Sequence, residues 1–540
     1  MTETPLDRFR AETGTPRHLK QPPVLPPIPH RQWLLVFNAL LWFTVTLFWF
    51  RGGLGLWGSF VSLGLGLWTF MWLFAPASPL LETDRPDGTP IAHLKRLLSF
   101  PFFWLGLAVL GYGILQTLNP AYELVPIPGK GARMEPLDFI EWLPSGVSVP
   151  LFMTNSPRAG LLQIALPWLM VCCLYVGLRS RRALDWLLNA VLAVVSLWTL
   201  MALGYFFTES KTIYWGIEMG QNNIPPFWGS LKNPNHGGML QLIGILLALG
   251  LAGRGFSRAL LSRHFSGIQV FYLAIALFLS LATLQSLSRG PILLMAFLWF
   301  AALGVAGVMA YRERSFKMVG VMASFLVLLI AGGVVWYVTN TSTGQGNKNP
   351  VQKTLQTTVT QFDDFKEGES ENIDRRVLLN RVSIRMFKTS PVYGYGIGSW
   401  SYFYRDHIDF LSEIDLLIAN YSRFDAQGNR TKKGVRYATP MHFDHAHNEY
   451  MQVLCELGIV GTVVICLLIL TLLSQLFSYI RAGGVGFIFL SAIGCVIVLM
   501  LYSMIEFPLR TPILGLFFAI FMASALLETQ HRGLRSNSTG

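Results

Sequence analysis

Runs of about 20 apolar residues recur from one end of this chain to the other, and nothing else in it limits the fold so strongly. A helix of that length crosses the hydrocarbon core of a bilayer. Inside lipid every backbone N–H and C=O must find a partner within the protein, and a helix supplies those partners along its own length. The segments that fit are 33–50, 54–75, 100–118, 160–178, 184–207, 237–253, 267–287, 291–311, 318–338, 457–480, 485–505 and 512–528. Composition agrees: 52% of the 540 residues are hydrophobic and only 13% are charged, about half the charge of an ordinary soluble domain. The expected fold is an all-α polytopic membrane protein with about twelve transmembrane helices and one large, partly helical loop at 339–446.

Lys and Arg are retained on the cytoplasmic side of short loops, so their distribution orients the chain. One alternate set of connections carries Lys95 and Arg96, then Arg179, Arg181 and Arg182, then Arg254, Arg258 and Arg263, then Arg312, Arg314 and Lys317, then Arg481. Both tails belong to this set, and the long loop then faces outward. The chain divides into a disordered, Pro-rich cytoplasmic tail (1–32), nine transmembrane helices (33–338), the outer loop (339–446), an interfacial helix with three further transmembrane helices (447–528) and a second cytoplasmic tail (529–540). No cleavable signal peptide is visible at the start. The net charge of +12 reports this topology and argues against nucleic-acid binding. Cys172, Cys173, Cys455, Cys466 and Cys495 lie in or beside spans, so neither a disulfide nor a CxxC metal site is expected. There is no transporter-like internal repeat, Walker A motif or dinucleotide glycine motif.

The polar stretch His442-Phe443-Asp444-His445-Ala446-His447-Asn448-Glu449 stands a few turns before an apolar span. Ionisable groups at a lipid edge are costly and usually functional, and histidine titrates nearest neutral pH. The cluster therefore suits proton transfer at the membrane surface, and Glu449, with Asn448 between them, would either orient the His447 ring or point to solvent. The alternative is an interfacial histidine capping the helix 448–457. A zinc site from His442, His445 and His447 is disfavoured, because the spacing is tighter than zinc ligands usually show.

Basic residues gather on the same side. Asp374 opens a helical pattern that carries Arg375, Arg376, Arg381 and Arg385 and stops near Ser390-Pro391. Gly394, Gly396 and Gly398 then permit a tight backbone path, more often a packing device than an anion nest. Arg289, in Ser288-Arg289-Gly290, sits at the outer end of a span against the positive-inside bias. Lys232-Asn233-Pro234-Asn235-His236 opens another span, where Asn235 reads first as a helix cap and Lys232 as an interfacial lysine. A lipid-linked sugar diphosphate would unite these sites, because it carries its pyrophosphate at the membrane surface and arginine grips phosphate by a multidentate fork.

His447-Asn448 followed by Gly458-Ile459-Val460-Gly461 resembles the signature of the O-antigen ligase and O-antigen polymerase superfamily. Asn233-Pro234-Asn235, Ser288-Arg289-Gly290, Arg376 with Pro391-Val392-Tyr393-Gly394-Tyr395-Gly396, and Glu506-Phe507-Pro508-Leu509-Arg510 resemble further elements of that family, in its order. The likeness covers roughly 160–528. It departs at Asn380, where family members often carry an aromatic, and this bears on the choice between Arg375 and Arg376. The stretch from Asn420 to Pro440, with Arg430, Lys432, Lys433 and Arg436, looks like an addition.

The resemblance implies a metal-independent, inverting glycosyltransferase of the bacterial inner membrane, working without a cofactor at the periplasmic face. Its donor would be an undecaprenyl-diphosphate-linked glycan, and membrane lipid would surround it. Arg289 and Arg376, with Arg375, would hold the diphosphate, and His447 would be the base. Asn448, Glu449, Lys232, Asn235, Arg385 and Arg510 would support them. Three acceptors compete: another lipid-linked glycan (a polymerase), lipid A-core (a ligase), or a protein hydroxyl. The long loop and the FPLR segment look closer to polymerase-like exopolysaccharide members. A polysaccharide transporter or flippase would instead bury charges along its spans.

Overall fold

The computed structural model describes residues 28–536 apart from 50, 54, 76–88, 128–130, 151, 152, 154, 209, 211, 214–216, 219–227, 232, 263–266, 287, 314–316, 343–370, 409–422, 425–429, 432–442 and 482–485. Each of the twelve apolar segments is helical: α1 (His30–Phe48), α2 (Leu56–Trp72), α4 (Pro101–Leu118), α5 (Pro157–Gly177), α6 (Arg181–Phe207), α7 (Pro234–Ser262), α8 (Gly267–Gln285), α9 (Arg289–Glu313), α10 (Lys317–Ser342), α12 (Glu449–Arg481), α13 (Phe487–Tyr502) and α14 (Pro512–Ser536). Between them lie a short amphipathic helix, α3 (Pro90–Leu98), and the loop helix α11 (Glu371–Thr389). Eight are long and apolar enough to cross a membrane by length and composition, and α10, α13 and α14 contain shorter apolar stretches. The tail at 1–27, all of 343–370 and most of the added stretch from Asn420 to Pro440 lie outside the described residues.

Local sequence sets the helix starts. Pro90, Pro101 and Pro157 occupy first-turn positions, where a missing N–H is no loss. The hydroxyls of Thr89, Ser156 and Ser180 accept the amides of Ala92, Ala159 and Ala183. In the middle, α7 and α14 are sheathed by other helices: Leu240, Ile243, Phe517 and Phe521 are fully buried. α9 and α12 instead expose large side chains such as Phe297, Phe300, Val463 and Leu470 along one face. In water those faces would cost heavily, and a hydrocarbon solvent accounts for them.

The helical expectation needs one correction. Pro120–Ile127 (β1), Gly131–Pro136 (β2) and Gly146–Ser148 (β3) form a small sheet, β2 antiparallel and β3 parallel to β1. It joins α4 to α5 as a second ordered unit between apolar helices, beside the one that carries α11. Its strands are short and Pro-interrupted, and hydropathy windows tuned to twenty residues pass over them. Leu124 and Val147 of this sheet pack with Leu378, Val382, Trp400, Tyr404 and Cys455. The sheet, α11 and the start of α12 therefore share one core.

The Gly-rich turn after α11 is a packing device. α12 is broken at Gly458 (φ 62, ψ −167), and the turn pairs with that break: Tyr395 N bonds Cys455 O at 2.8 Å, Gly396 N bonds Glu456 O at 2.9 Å and Ile459 N bonds Pro391 O at 2.9 Å. A Cβ on Gly458 would meet Val392 O at 2.3 Å, and one on Gly394 would meet Glu456 O at 2.6 Å. Both need glycine for close approach as well as for positive φ. From α4, Gln116 Nε2 donates to Tyr393 O and Glu456 O, while Tyr112 Oη donates to Tyr393 O and Leu457 O. These bonds satisfy carbonyls that the broken helix leaves open.

Candidate active site

The loop 443–448 turns sharply into α12. Asn448 Oδ1 caps the amide of Met451 at 3.2 Å, Gln452 Oε1 takes the amide of Ala446, and Phe443 N donates to the Tyr404 hydroxyl. His447 sits at φ 53, the one non-glycine residue with positive φ among those described. Such a conformation costs of the order of 1–3 kcal/mol and persists only where surrounding bonds over-determine it. Its effect is to send the imidazole towards the turn between α13 and α14, where Nδ1 lies 3.2 Å from Glu506 Oε2, off the line of a regular hydrogen bond.

Glu506 is the hub of the site. Its side chain is 2% exposed, and Oε1 accepts Arg376 Nη2 at 2.9 Å and Asn235 Nδ2 at 2.8 Å. Ser288 Oγ donates to Asn235 Oδ1 at 2.7 Å, which brings in the residue before Arg289. Burial works to raise the Glu506 carboxyl, but the His447 imidazole beside it, the Arg376 guanidinium and His236 outweigh that and hold it below its ordinary value. It is therefore a carboxylate at neutral pH. Four elements far apart in sequence (α7, α11, the His447 loop and the α13–α14 turn) meet on this one anion.

Phe507 stands among three imidazoles, its ring centroid 5.1 Å from His236, 4.3 Å from His445 and 5.2 Å from His447. His236 Nδ1 meets the Thr511 hydroxyl at 2.8 Å. His445 Nδ1 is 3.2 Å from Gln452 Nε2, which in turn donates to Glu456 Oε1. Burial, with Arg510 nearby, drives His445 down to about 3. At neutral pH it is uncharged and too weak a base for efficient proton transfer. Below it Arg510 Nη2 pairs with Glu456 Oε2 at 2.8 Å. Among the described residues no group of three or more His, Cys, Asp or Glu is arranged to hold a metal ion; His442 lies outside them.

The structure brings His447, Arg376 and Asn235 together on Glu506 and gives several other predicted residues different partners. Arg289 begins α9, half-buried, next to Ser288, while Gly290 lies so close to Tyr502 that a Cβ would meet its ring at 2.5 Å. Glu449 does not orient His447. It turns back to accept the amides of Leu509 and Arg510 and the Ser503 hydroxyl, because the first turn of α12 points it under the loop. Asn235 is not the cap of α7; Asn233 Oδ1 caps the amide of Asn235, which frees the Asn235 side chain for Glu506. Arg385 Nη1 reaches His407 O within the loop. Arg510 braces Glu456. Asn448 is a helix cap. Lys232 and the Arg375 side chain lie outside the described residues. Glu506, Ser288, His236 and Gln452 were not among the expected site residues. The signal for Glu506 was its place in the Glu506-Phe507-Pro508-Leu509-Arg510 segment.

A bundle of apolar helices with ionisable side chains drawn together at one end, over a strained histidine, defines a multi-pass membrane protein with a polar site at the bundle's edge. Residues 273–466 match the model of the family described as O-Antigen ligase. The likeness to the O-antigen ligase and polymerase superfamily is thereby borne out, over a little more than a third of the chain. The matched stretch includes Arg289, Arg376 and His447, whereas Asn235 and Glu506 lie on either side of it. No curated protein matches the chain.

Proposed function

We propose that this protein is a metal-independent, inverting glycosyltransferase. It moves a glycan from an undecaprenyl-diphosphate-linked donor to an acceptor hydroxyl at the periplasmic face of the inner membrane. The observation that carries this reading is the meeting of His447 and Arg376, both in the family-matched segment, on the buried Glu506 carboxylate. Arg289 and Arg376 bind the diphosphate and stabilise the charge that grows on it as the sugar leaves. His447 takes the proton of the acceptor hydroxyl. The acceptor oxygen attacks the anomeric carbon from the face opposite the diphosphate, which inverts that centre. Prenyl diphosphate is already a good leaving group, so no cofactor is required.

Polymerisation, with a second lipid-linked glycan as acceptor, is the preferred form, on the long loop and the FPLR segment. Transfer to lipid A-core or to a protein hydroxyl is the alternative. The test is purified protein with lipid-linked glycan and each acceptor in turn, with products resolved on gels. Polymer or conjugate is expected with one acceptor, undiminished by a chelator. No transfer to any acceptor, or transfer abolished by a chelator, would refute the reading.

Orientation has its own test. The clustering of Lys and Arg at the opposite ends of the helices supports cytoplasmic termini and an outward site. Single cysteines at Gly346 and Gly428 are expected to react with an impermeant thiol reagent from the periplasmic side. Labelling only from the cytoplasmic side would invert the scheme and remove the site from its substrate.

A further inference from the structure

We propose that Glu506 is the positioning residue of His447, and that it links the base to the arginine that holds the donor. The proposal rests on the reading of His447 as a base and Arg376 as a diphosphate ligand. The two oxygens of Glu506 are divided: Oε1 serves Arg376 and Asn235, and Oε2, buried and without a regular hydrogen bond, is turned to His447 Nδ1. An imidazole facing a carboxylate through Nδ1 keeps its proton there, which leaves Nε2 as the lone pair for the acceptor. Glu506 occupies the place expected of Glu449, which instead braces the turn of Leu509 and Arg510.

This division has a consequence for the order of events. A diphosphate that engages Arg376 competes with Oε1 for the guanidinium. The share of negative charge that Arg376 no longer offsets then acts on the imidazole and raises its proton affinity. The base is thus strengthened where a donor is bound. In the transfer step the acceptor O–H bond breaks and its proton goes to Nε2. The acceptor oxygen bonds the anomeric carbon, and the bond from that carbon to the diphosphate oxygen breaks, its electron pair leaving with the diphosphate. The imidazolium so formed is held by the Glu506 carboxylate. The charged or titratable groups acting on this imidazole are Glu506 from the α13–α14 turn, Arg376 from α11 through that carboxylate, His236 from α7 and His445 from its own loop.

Two measurements test the link. The first is the pH dependence of transfer by Glu506→Gln. Its kcat should fall by about 100- to 10,000-fold, the range of an impaired general base, with KM for donor little changed. Its acidic limb should move to lower pH, because an imidazole without a carboxylate holds its proton less tightly. Glu506→Asp should recover part of the rate. An unshifted limb would make Glu506 a packing residue and overturn the proposal. The second needs no variant: His447 is titrated by NMR in ring-labelled wild-type protein, with and without undecaprenyl diphosphate. A higher titration midpoint with the diphosphate supports the link, and an unchanged midpoint refutes it. If wild-type protein transferred no glycan, the functional reading would fail. A midpoint shift between wild type and Glu506→Gln would even then uphold the positioning.

Discussion

Replacing His447 by alanine should reduce glycan transfer by about 100- to 10,000-fold, the usual cost of losing a positioned general base, and leave lipid-linked donor bound. The expectation follows from the division of labour at Glu506. Arg376 and Asn235 occupy one oxygen and His447 the other, so removing the imidazole leaves the arginine where it was. One complication is the backbone. His447 holds φ 53, a region that alanine disfavours and asparagine tolerates. His447→Asn therefore serves beside His447→Ala, and both should fail at transfer if the ring is what matters. Donor binding is measured separately with the lipid-linked glycan. Normal transfer by either variant would leave His447 as part of the entry into α12. Loss of donor binding with loss of transfer would make it a diphosphate ligand instead. His445 is no substitute base, since burial leaves its ring nearly unable to hold a proton at neutral pH.

Arg289→Ala and Arg376→Ala should each nearly abolish transfer while the protein still reaches the membrane. A charge-assisted hydrogen bond to diphosphate contributes about 1.5–3 kcal/mol to binding, and more where it strengthens as charge develops on the leaving group. Arg376 also neutralises a carboxylate that is 2% exposed, and a buried charge stripped of its partner is costly. Asn235 and His447 remain at Glu506, so the variant is expected to fold with reduced thermal stability. Arg376→Lys should recover part of the activity, since an ammonium keeps the charge but loses the planar fork. Turnover at the wild-type rate by either alanine variant would exclude that arginine from the reaction.

Hydropathy made the helices legible because each span repeats one physical demand, a helix that hides its backbone from lipid. The sheet from Pro120 to Ser148 was not legible, since no such demand acts on a short surface hairpin. His447 and Arg289 could be singled out because charged or titratable groups at the edge of apolar spans are conspicuous, and Arg376 through the family resemblance. Their common partner could not. Glu506 lies 130 positions from Arg376 and 271 from Asn235, and only the folded bundle joins them. Sequence proximity pointed to Glu449, two residues from His447, but the positive φ at His447 separates the directions of the two side chains. Asn233 and Asn235 were confused for a related reason: each is a plausible cap, and the choice depends on which side chain has a better partner elsewhere.

The glycine break in α12 sets which parts of this protein can be exchanged. Gly458 and the turn at 391–398 are joined by main-chain bonds and by contacts that exclude any side chain. The spacing between the arginine helix α11 and the histidine loop is thus set largely by main chain meeting main chain, like a mortise joint cut before the furniture is finished. Grafting the outer loop of a relative with a different acceptor is therefore best done with junctions that leave Pro391 to Gly398 and Glu456 to Val460 intact.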